Sequence, residues 1–295
     1  MCKKSALGLL AVAIVATIAG CRRPGATGGA PSGAPQTLQI NGSDTMVNLG
    51  QAWAEAFIKK HAEVSVSVTG GGSGTGIAAL INGTTDVAQC SRPMKPEEVA
   101  QAKAKGREPK EIQVAWDGIA VVVNPNNKVG QLTVDQLADI FAGKTTNWKQ
   151  VGGAQGKMVI LSREVNSGTH VYFKEHVLQK GDKTSKADYA TSALLMPSSQ
   201  AIHDEVAQNP QAIGYVGLGY LDSKVKALKV AQEPGAPFVA PSPQTVISQQ
   251  YPISRPLFFY TAGEPAGPAK AFIDFVLSGE GQQVVSQLDF VPLKS

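Results

Sequence analysis

The stretch VSVSVTGGGSGTGIAAL, residues 64–80, joins three local patterns that together predict the fold class. Residues 64–68 alternate apolar and polar side chains with a period of two, which is typical of a β-strand. Residues 77–82 are predominantly apolar and predict a helix. The glycine-rich loop 70–76 lies between these two elements. The sequence therefore predicts a strand–loop–helix unit, which is the repeating unit of α/β proteins.

Strand and helix patterns alternate along the rest of the chain in the same way. Strands are predicted over 38–40, 86–88, 112–123, 158–161, 213–216 and 257–260. Helices are predicted over 46–60, 199–208, 268–277 and 280–288, and others begin at 96, at the capping box 133–136 and at 170. This alternation predicts an α/β architecture with mainly parallel sheets. The proline-rich stretch 233–243 is predicted to be a connecting segment.

The N-terminus has the features of a bacterial secretion signal. Lys3 and Lys4 precede an apolar run over 6–19, which is shorter than the ~20 residues of a membrane-spanning helix. The segment IAGC, 18–21, is similar to a bacterial lipobox, which implies cleavage before Cys21 and lipidation of its thiol. Residues 1–20 are therefore predicted to be a signal peptide. Residues 21–36, rich in Gly, Pro, Ala and Ser, are predicted to be a lipidated tether.

Composition excludes several classes of protein. With 27 Lys and Arg against 23 Asp and Glu, the chain lacks the basic excess of a nucleic-acid-binding protein, and no nucleic-acid partner is expected. Once the signal is removed and Cys21 carries a lipid, Cys90 is the one remaining thiol. Neither a disulfide nor a cysteine-based metal site is therefore expected. Burial in the core is the simplest explanation for Cys90.

Three predicted strand-to-helix junctions share one chemistry. They are NGSDT (41–45), GGGSGTG (70–76) and REVNSGT (163–169), and each places small residues and hydroxyls at the start of a helix. A helix start carries unpaired N–H groups and a partial positive charge, so it can bind an anion. Glycine allows a ligand to approach the backbone closely, and Arg163 adds a charged, bidentate donor. The alternative is that these Ser and Thr residues are only N-caps.

Nucleotide and hydrolase motifs do not fit these loops. Loop 70–76 contains no Gly-Lys-Ser/Thr sequence and does not match the G-x-G-x-x-G spacing. Around Ser73 the G-x-S-x-G pattern of serine hydrolases is broken by Thr75, and Ser167 lacks the first glycine. The histidines are scattered, and no His-Glu-x-x-His sequence is present. The chain is therefore predicted to have no enzymatic activity, no cofactor and no metal site.

The ordered set of motifs resembles the phosphate-binding lipoproteins of bacterial ABC-type phosphate importers. The matching segments cover most of the mature chain: NGSDTM (41–46), GGGSGTG (70–76), CSRPMKPEE (90–98), DGIAVVVNP (117–125), LTVDQLADIFAGKTTNW (132–148), REVNSGT (163–169), AIGYVG (212–217) and YPISRPL (251–257). The resemblance implies a two-lobed periplasmic-binding-protein fold of type II, with two chain crossings and a mainly parallel sheet flanked by helices in each lobe. Lobe 1 would comprise 37–115 and 240–295, and lobe 2 would comprise 118–230. The hinges would lie near Asp117 and after Val230.

The resemblance also implies which residues bind phosphate. Lobe 1 would contribute hydroxyls, a backbone N–H and an arginine from Ser43, Thr45, Met46, Ser73, Ser91 and Arg92. Lobe 2 would contribute the arginine loop and the following helix start, Arg163, Ser167, Gly168 and Thr169. Neutral dipoles and one or two arginines would together hold a desolvated dianion.

One position departs from the family pattern in a way that concerns selectivity. Relatives often have an acid at the position of Ser91 or Arg92. That acid accepts the proton of hydrogen phosphate, whereas it would repel sulfate, which carries no proton. The acceptor in this chain would have to come from elsewhere. Asp44 is the first candidate and Asp117 is the second.

A second departure lies two residues after Arg163. Relatives often have an acid there, whereas this chain has Val165. Either Glu164 orients the Arg163 side chain instead, or that side chain is less restrained. Both departures bear on the discrimination between phosphate and sulfate.

The predicted function is that of an extracytoplasmic lipoprotein that captures inorganic phosphate and delivers it to an ABC-type permease and its ATPase. The protein is expected to be a monomer, attached to the membrane through the lipid on Cys21. Its expected location is the periplasm or the outer surface of the cytoplasmic membrane, with the outer membrane as a further location. The alternative is the same fold serving as a receptor for another oxyanion, or as a surface protein for sensing or adhesion.

Overall fold

The computed structural model describes residues 36–293 of the chain. The predicted signal peptide, most of the tether and the predicted lipidation site Cys21 lie outside the described residues. Gln36, which the sequence places at the end of the tether, already belongs to the first strand. Within residues 36–293, every helix falls short of the length or the apolar character that a membrane-spanning segment needs.

The described chain alternates strands and helices. The strands are β1 (Gln36–Gly42), β2 (Val64–Gly71), β3 (Val87–Cys90), β4 (Pro109–Val123), β5 (Gln131–Thr133), β6 (Val159–Arg163), β7 (Leu194–Met196), β8 (Ala212–Gly217), β9 (Lys226–Ala227), β10 (Lys229–Ala231) and β11 (Ser254–Ala262). The α-helices are α1 (Val47–Ile58), α2 (Ser73–Asn82), α3 (Pro96–Ala104), α4 (Val134–Phe141), α5 (Gly168–Phe173), α6 (Ser199–Gln208), α7 (Pro243–Ile247), α8 (Gly267–Leu277) and α9 (Gly279–Gln287). Short 3₁₀ turns cover Asp44–Met46, Trp148–Val151 and Leu218–Tyr220, and a π-helical turn, Lys174–Leu178, extends α5.

The main sheet has the strand order β2-β1-β3-β11-β4-β8-β6-β7, with β9 also paired to β4, and β5 and β10 form a second, small sheet. The outer pairs are parallel, as the sequence predicts: β1 with β2 and β3, and β6 with β7 and β8. The central pairs are antiparallel, because β11 runs against β3 and β4, and β4 runs against β8. The sheet is therefore mixed, and the expectation of mainly parallel sheets is correct only for its outer strands.

Strand β4 connects two hydrophobic cores. Its residues 109–118 pair with β11, and its residues 119–123 pair with β8. One core contains Trp53, Phe57 and Phe272 beside the β1 half of the sheet. The other contains Phe141 and Phe173 beside the β8 half. The predicted strand over 112–123 is thus confirmed, and it passes through the expected bend at residues 117–118 as one continuous element.

Several boundaries differ from the sequence predictions for local reasons. Helix α2 starts at Ser73, because Gly72 adopts φ +102° and ends the strand conformation just before it. Helix α6 has the predicted bounds. The proline-rich stretch 233–243 is mostly irregular, but Pro243 occupies the first turn of α7, where Ser242 caps the helix. The prediction that Cys90 is buried is confirmed.

Candidate functional site

Three serines from separate junctions meet at the carboxyl edge of the β1 half of the sheet. Ser43 follows β1, Ser73 opens α2, and Ser91 follows β3, so parallel pairing brings their starting points together. The Ser43 hydroxyl donates to Ser91 Oγ at 2.9 Å, and Ser73 Oγ lies 3.3 Å from Ser91 Oγ. The Ser91 N–H donates to Ser73 Oγ at 3.0 Å. All three side chains are buried, and they form one hydrogen-bonded group.

Two threonines extend this group toward the start of α5. Thr45 Oγ1 and Thr169 Oγ1 are 2.7 Å apart, although 124 residues separate them in the chain. Both are buried. The neighbouring Met46 is also buried, and its N–H donates to the Ser43 carbonyl within the 3₁₀ turn. We refer to the five hydroxyls as the hydroxyl cluster: Ser43, Thr45, Ser73, Ser91 and Thr169.

The start of α5 packs directly against the hydroxyl cluster. Ser167 Oγ accepts the N–H groups of Thr169 and His170, so this serine is an N-cap, as the alternative interpretation expects. A Cβ atom on Gly168 would lie 2.6 Å from Ser91 Oγ and closer still to Ser73 Oγ. Only glycine fits at this position, because any side chain would collide with the two serines.

Arg255 supplies the charge within the hydroxyl cluster. Its Nη2 donates to Thr169 Oγ1 at 3.0 Å and to Thr45 Oγ1 at 3.4 Å, and its Nη1 donates to the Ser91 carbonyl at 3.0 Å. The side chain is fully buried in β11. Arg255 is not among the site residues predicted from the sequence, although it belongs to the family-like segment YPISRPL. A charged residue between the apolar Ile253 and Leu257 was the available signal.

Asp117 is the ionic partner of Arg255. Its Oδ2 accepts Arg255 Nη2 at 2.9 Å and Nε at 3.2 Å, while its Oδ1 accepts the Leu218 N–H at 3.1 Å. Burial raises the pKa of the Asp117 carboxyl, and the Arg255 guanidinium opposes this effect. Asp117 therefore orients Arg255 and uses both carboxylate oxygens for donors of the protein itself.

Asp44 and Arg163 form a second ion pair beside the cluster. Asp44 Oδ2 lies 3.0 Å from Arg163 Nη1 and accepts the Ser199 N–H at 2.7 Å. Arg163 also donates to Ser199 Oγ and to the Met196 and Pro197 carbonyls, each at 3.0–3.3 Å. The contacts that orient Arg163 thus come from Asp44, from the segment before α6 and from the first residue of α6. The sequence instead predicts that Glu164 orients Arg163 or that its side chain is less restrained.

Arg92 makes its contacts with α3. Its Nη1 and Nη2 donate to the two carboxylate oxygens of Glu98 at 2.8 and 2.7 Å, and Nη1 also donates to the Pro93 carbonyl. Burial acts to raise the pKa of Glu98, but the Arg92 guanidinium and the Lys95 N–H outweigh it and lower this pKa. A structural role for Arg92 accounts for these contacts, so its predicted contact with the anion stays a prediction.

The chain has clear relatives among known proteins. A profile of the PBP superfamily domain matches residues 28–280. The phosphate-binding protein PstS of Pseudomonas aeruginosa is 33% identical over 279 residues, which cover 89% of this chain and 84% of that protein. The chain belongs to the PstS family of the PBP superfamily. The PstS protein of Bacillus subtilis is also 33% identical, over 87% of this chain and 81% of its own length.

Solved structures support the same family. A substrate-binding protein from Clostridium perfringens with bound phosphate has a TM-score of 0.78 and 35% identity, covering 88% of this chain and all of that one. An ABC-type phosphate transport receptor from Vibrio cholerae has a TM-score of 0.67 and 31% identity over 86% of this chain. Membership of the PstS family confirms the mixed α/β periplasmic-binding-protein fold. It also confirms the expectation that the chain is a binding protein and not an enzyme.

The polar side chains gathered in the described part of this PstS-family chain suit an anion rather than a metal ion. Within residues 36–293, no three His, Cys, Asp or Glu side chains are grouped so that they could hold a metal ion. The hydroxyl cluster and Arg255 instead bring neutral hydroxyls and one guanidinium together, buried from solvent. Such an arrangement suits a small oxyanion, because charge-assisted hydrogen bonds replace its hydration.

Proposed function

We propose that this protein binds inorganic phosphate outside the cytoplasm and delivers it to an ABC-type permease and its ATPase. The observation that carries the proposal is the buried convergence of five hydroxyls, the α5 start and Arg255. The names of the PstS relatives support it, as does the phosphate bound to the Clostridium perfringens relative.

The proposed phosphate site combines charge with adaptable donors. Hydroxyls can donate to phosphate oxygens or accept the phosphate proton, and Arg255 and Arg163 supply positive charge. The start of α5 adds N–H groups and the positive end of its peptide dipoles. The residues that we assign to binding are Ser43, Asp44, Thr45, Met46, Ser73, Ser91, Arg163, Ser167, Gly168, Thr169 and Arg255.

We propose that the protein has two lobes that close on the anion. Lobe 1 would contain 37–115 and 240–295, lobe 2 would contain 118–230, and the chain would cross near Asp117 and after Val230. The division of β4 between two pairing partners supports this assignment. So does the origin of the site residues, since Thr45 comes from one proposed lobe and Thr169 from the other.

We assign the choice of phosphate over sulfate to Asp44. Both oxygens of Asp117 accept hydrogen bonds from the protein, whereas the contacts of Asp44 are made by Oδ2. Asp44 Oδ1 is therefore the oxygen that we propose to accept the phosphate proton. Facing sulfate, the same oxygen would meet an acceptor without a proton, which is repulsive. The absence of an acid at both Ser91 and Arg92 favours a receptor for another oxyanion as the second candidate function.

We propose a lipid anchor on Cys21, which would hold the protein at the outer surface of the cytoplasmic membrane, in the periplasm, or at the outer membrane. Mass spectrometry of the mature N-terminus would test this assignment.

Isothermal titration of the chain without residues 1–20 tests the binding function. We expect saturable one-to-one binding of phosphate and weak or no binding of sulfate. Absence of phosphate binding would contradict the proposal. Equal binding of both anions would favour the alternative, an oxyanion receptor of broader specificity. A growth test in a strain that lacks its own phosphate receptor would then separate transport from sensing or adhesion.

A further inference from the structure

We propose that Asn166 is a latch that holds the two lobes closed around the anion without contacting it. This inference rests on the proposed function. Asn166 belongs to the loop between β6 and α5, and its partners belong to the glycine-rich segment 70–76, at the end of β2 and in the first turn of α2. It is a positioning residue, because it acts on the anion through the closure of the lobes.

Three hydrogen bonds join Asn166 to the glycine loop. Its Nδ2 donates to the Gly71 carbonyl at 2.8 Å and to Thr75 Oγ1 at 3.2 Å. Its own carbonyl accepts the Gly74 N–H at 2.9 Å. The Thr75 hydroxyl also donates to the Gly71 carbonyl at 2.8 Å, so the side chains of the two loops form one network.

Gly72 and Gly74 allow the backbone of Asn166 to approach closely, because they carry no side chain. A Cβ atom on Gly72 would lie 2.7 Å from the Asn166 carbonyl oxygen, and one on Gly74 would lie 3.2 Å from the same atom. Gly72 also has φ +102°, which side chains rarely adopt. These two glycines therefore permit the approach of the opposite loop, in addition to any approach of a ligand.

The latch lies next to the hydroxyl cluster but outside it. Its side-chain hydrogen bonds are exposed, whereas those of the cluster are buried. Asn166 precedes Ser167 and Gly168, so closing the latch brings the α5 start onto Ser73 and Ser91. A contact that stabilises only the closed form raises the affinity for every ligand of that form by the same factor.

The latch predicts a specific kinetic signature. Removing it should favour the open form, so bound anion should leave faster while the association rate changes little. Loss of two side-chain hydrogen bonds corresponds to a roughly tenfold weaker affinity. Because Asn166 does not touch the anion, phosphate and arsenate should be weakened by the same factor.

The test compares Asn166→Ala and Asn166→Asp with wild type and with the control Val165→Ala, an exposed neighbour in the same loop. Release of radiolabelled phosphate is followed after a chase with unlabelled phosphate, affinities for phosphate and arsenate are measured by titration, and thermal unfolding without ligand checks the fold. Asn166→Asp keeps the side-chain volume but removes the donor to Gly71.

We expect both Asn166 variants to release phosphate roughly tenfold faster, with an unchanged phosphate-to-arsenate ratio and unchanged unfolding, and Val165→Ala to match wild type. An unchanged release rate in the Asn166 variants would overturn the latch, as would a loss that differs between the two anions. If wild type fails to bind phosphate, the proposed function itself is overturned. If wild type binds and only the latch prediction fails, the proposed function stands.

Discussion

Arg255 Nη2 lies 2.9 Å from Asp117 Oδ2, and neither side chain is exposed to solvent. The same nitrogen also reaches Thr45 and Thr169. The guanidinium is therefore held on one side by a carboxylate and directed on the other side into the hydroxyl cluster. Removal of either partner of such a buried ion pair destabilises the folded protein, because the other charge then stays buried without a counter-charge.

We expect Arg255→Lys to weaken phosphate binding by about 2–5 kcal/mol, because the ammonium cannot bond Asp117 and both threonines at once. Titration calorimetry measures this loss, and circular dichroism verifies the fold.

Arg163→Ala should cause a loss within the same range of about 2–5 kcal/mol. An unchanged affinity in either variant would place that arginine outside the site.

Asp44→Asn tests the assignment of the proton acceptor. The amide keeps the size of the side chain but can turn a donor toward the anion, so sulfate should bind better and phosphate worse than in wild type. Competition titrations with the two anions measure the ratio of their affinities. Asp117→Asn provides the comparison, since it should reduce stability without inverting that ratio. A ratio unchanged in Asp44→Asn would exclude Asp44 as the selective residue.

Gly168→Ala should prevent the site from closing. The added methyl group would meet Ser73 Oγ and Ser91 Oγ, and relieving such overpacking typically costs about 1–3 kcal/mol. We expect weaker phosphate binding by that amount. The matched control is Gly130→Ala, because a Cβ atom there meets nothing within 4 Å. Equal affinities for the two variants would show that α5 does not approach the serines in the bound form.

His203 should make the free energy of unfolding depend on pH, in the range above the ordinary histidine pKa of 6.5. Burial disfavours its charged form, but hydrogen bonds to Asp222 at 2.8 Å and Asp204 at 3.0 Å outweigh this and raise the pKa of His203 above 6.5. Its stabilising contribution is therefore complete below pH 6.5 and is lost as the pH rises through the raised pKa.

Urea unfolding of wild type and His203→Gln at several pH values tests this. The difference between their free energies of unfolding should be largest on the acid side of pH 6.5 and should shrink at alkaline pH. A difference that stays constant over this pH range would mean that His203 has the same pKa in the folded and the unfolded protein.

The sequence predicts local features well because they depend on near neighbours. The periodic patterns predict β2, α1, α6 and α8 to within a few residues, and the three junctions point to an anion site. Parallel pairing of β1, β2 and β3 then follows from general rules for α/β sheets. The helix starts thus identify most of the hydroxyl cluster without any tertiary information.

The features that sequence reasoning misses depend on pairing between distant segments. Nothing near Arg255 indicates that β11 lies between β3 and β4, which is what brings its side chain to Thr45. The glycines of loop 70–76 suggest close approach of a ligand, but the close approach at Gly72 is made by Asn166. Both contacts join segments that are far apart in the sequence. A local sequence pattern does not show which distant segment packs against it.

The register of β4 and β11 has a consequence for the evolution of the molecule. Asp117 and Arg255 are direct partners across these two adjacent antiparallel strands. The segment between them therefore begins and ends at neighbouring points of the sheet. Residues 118–254 therefore form an inserted segment with adjacent ends, which can change in length without disturbing the two strands that flank it. We expect homologues to differ in length and surface within this inserted segment, while the strand pair that carries the acid and the guanidinium keeps its register.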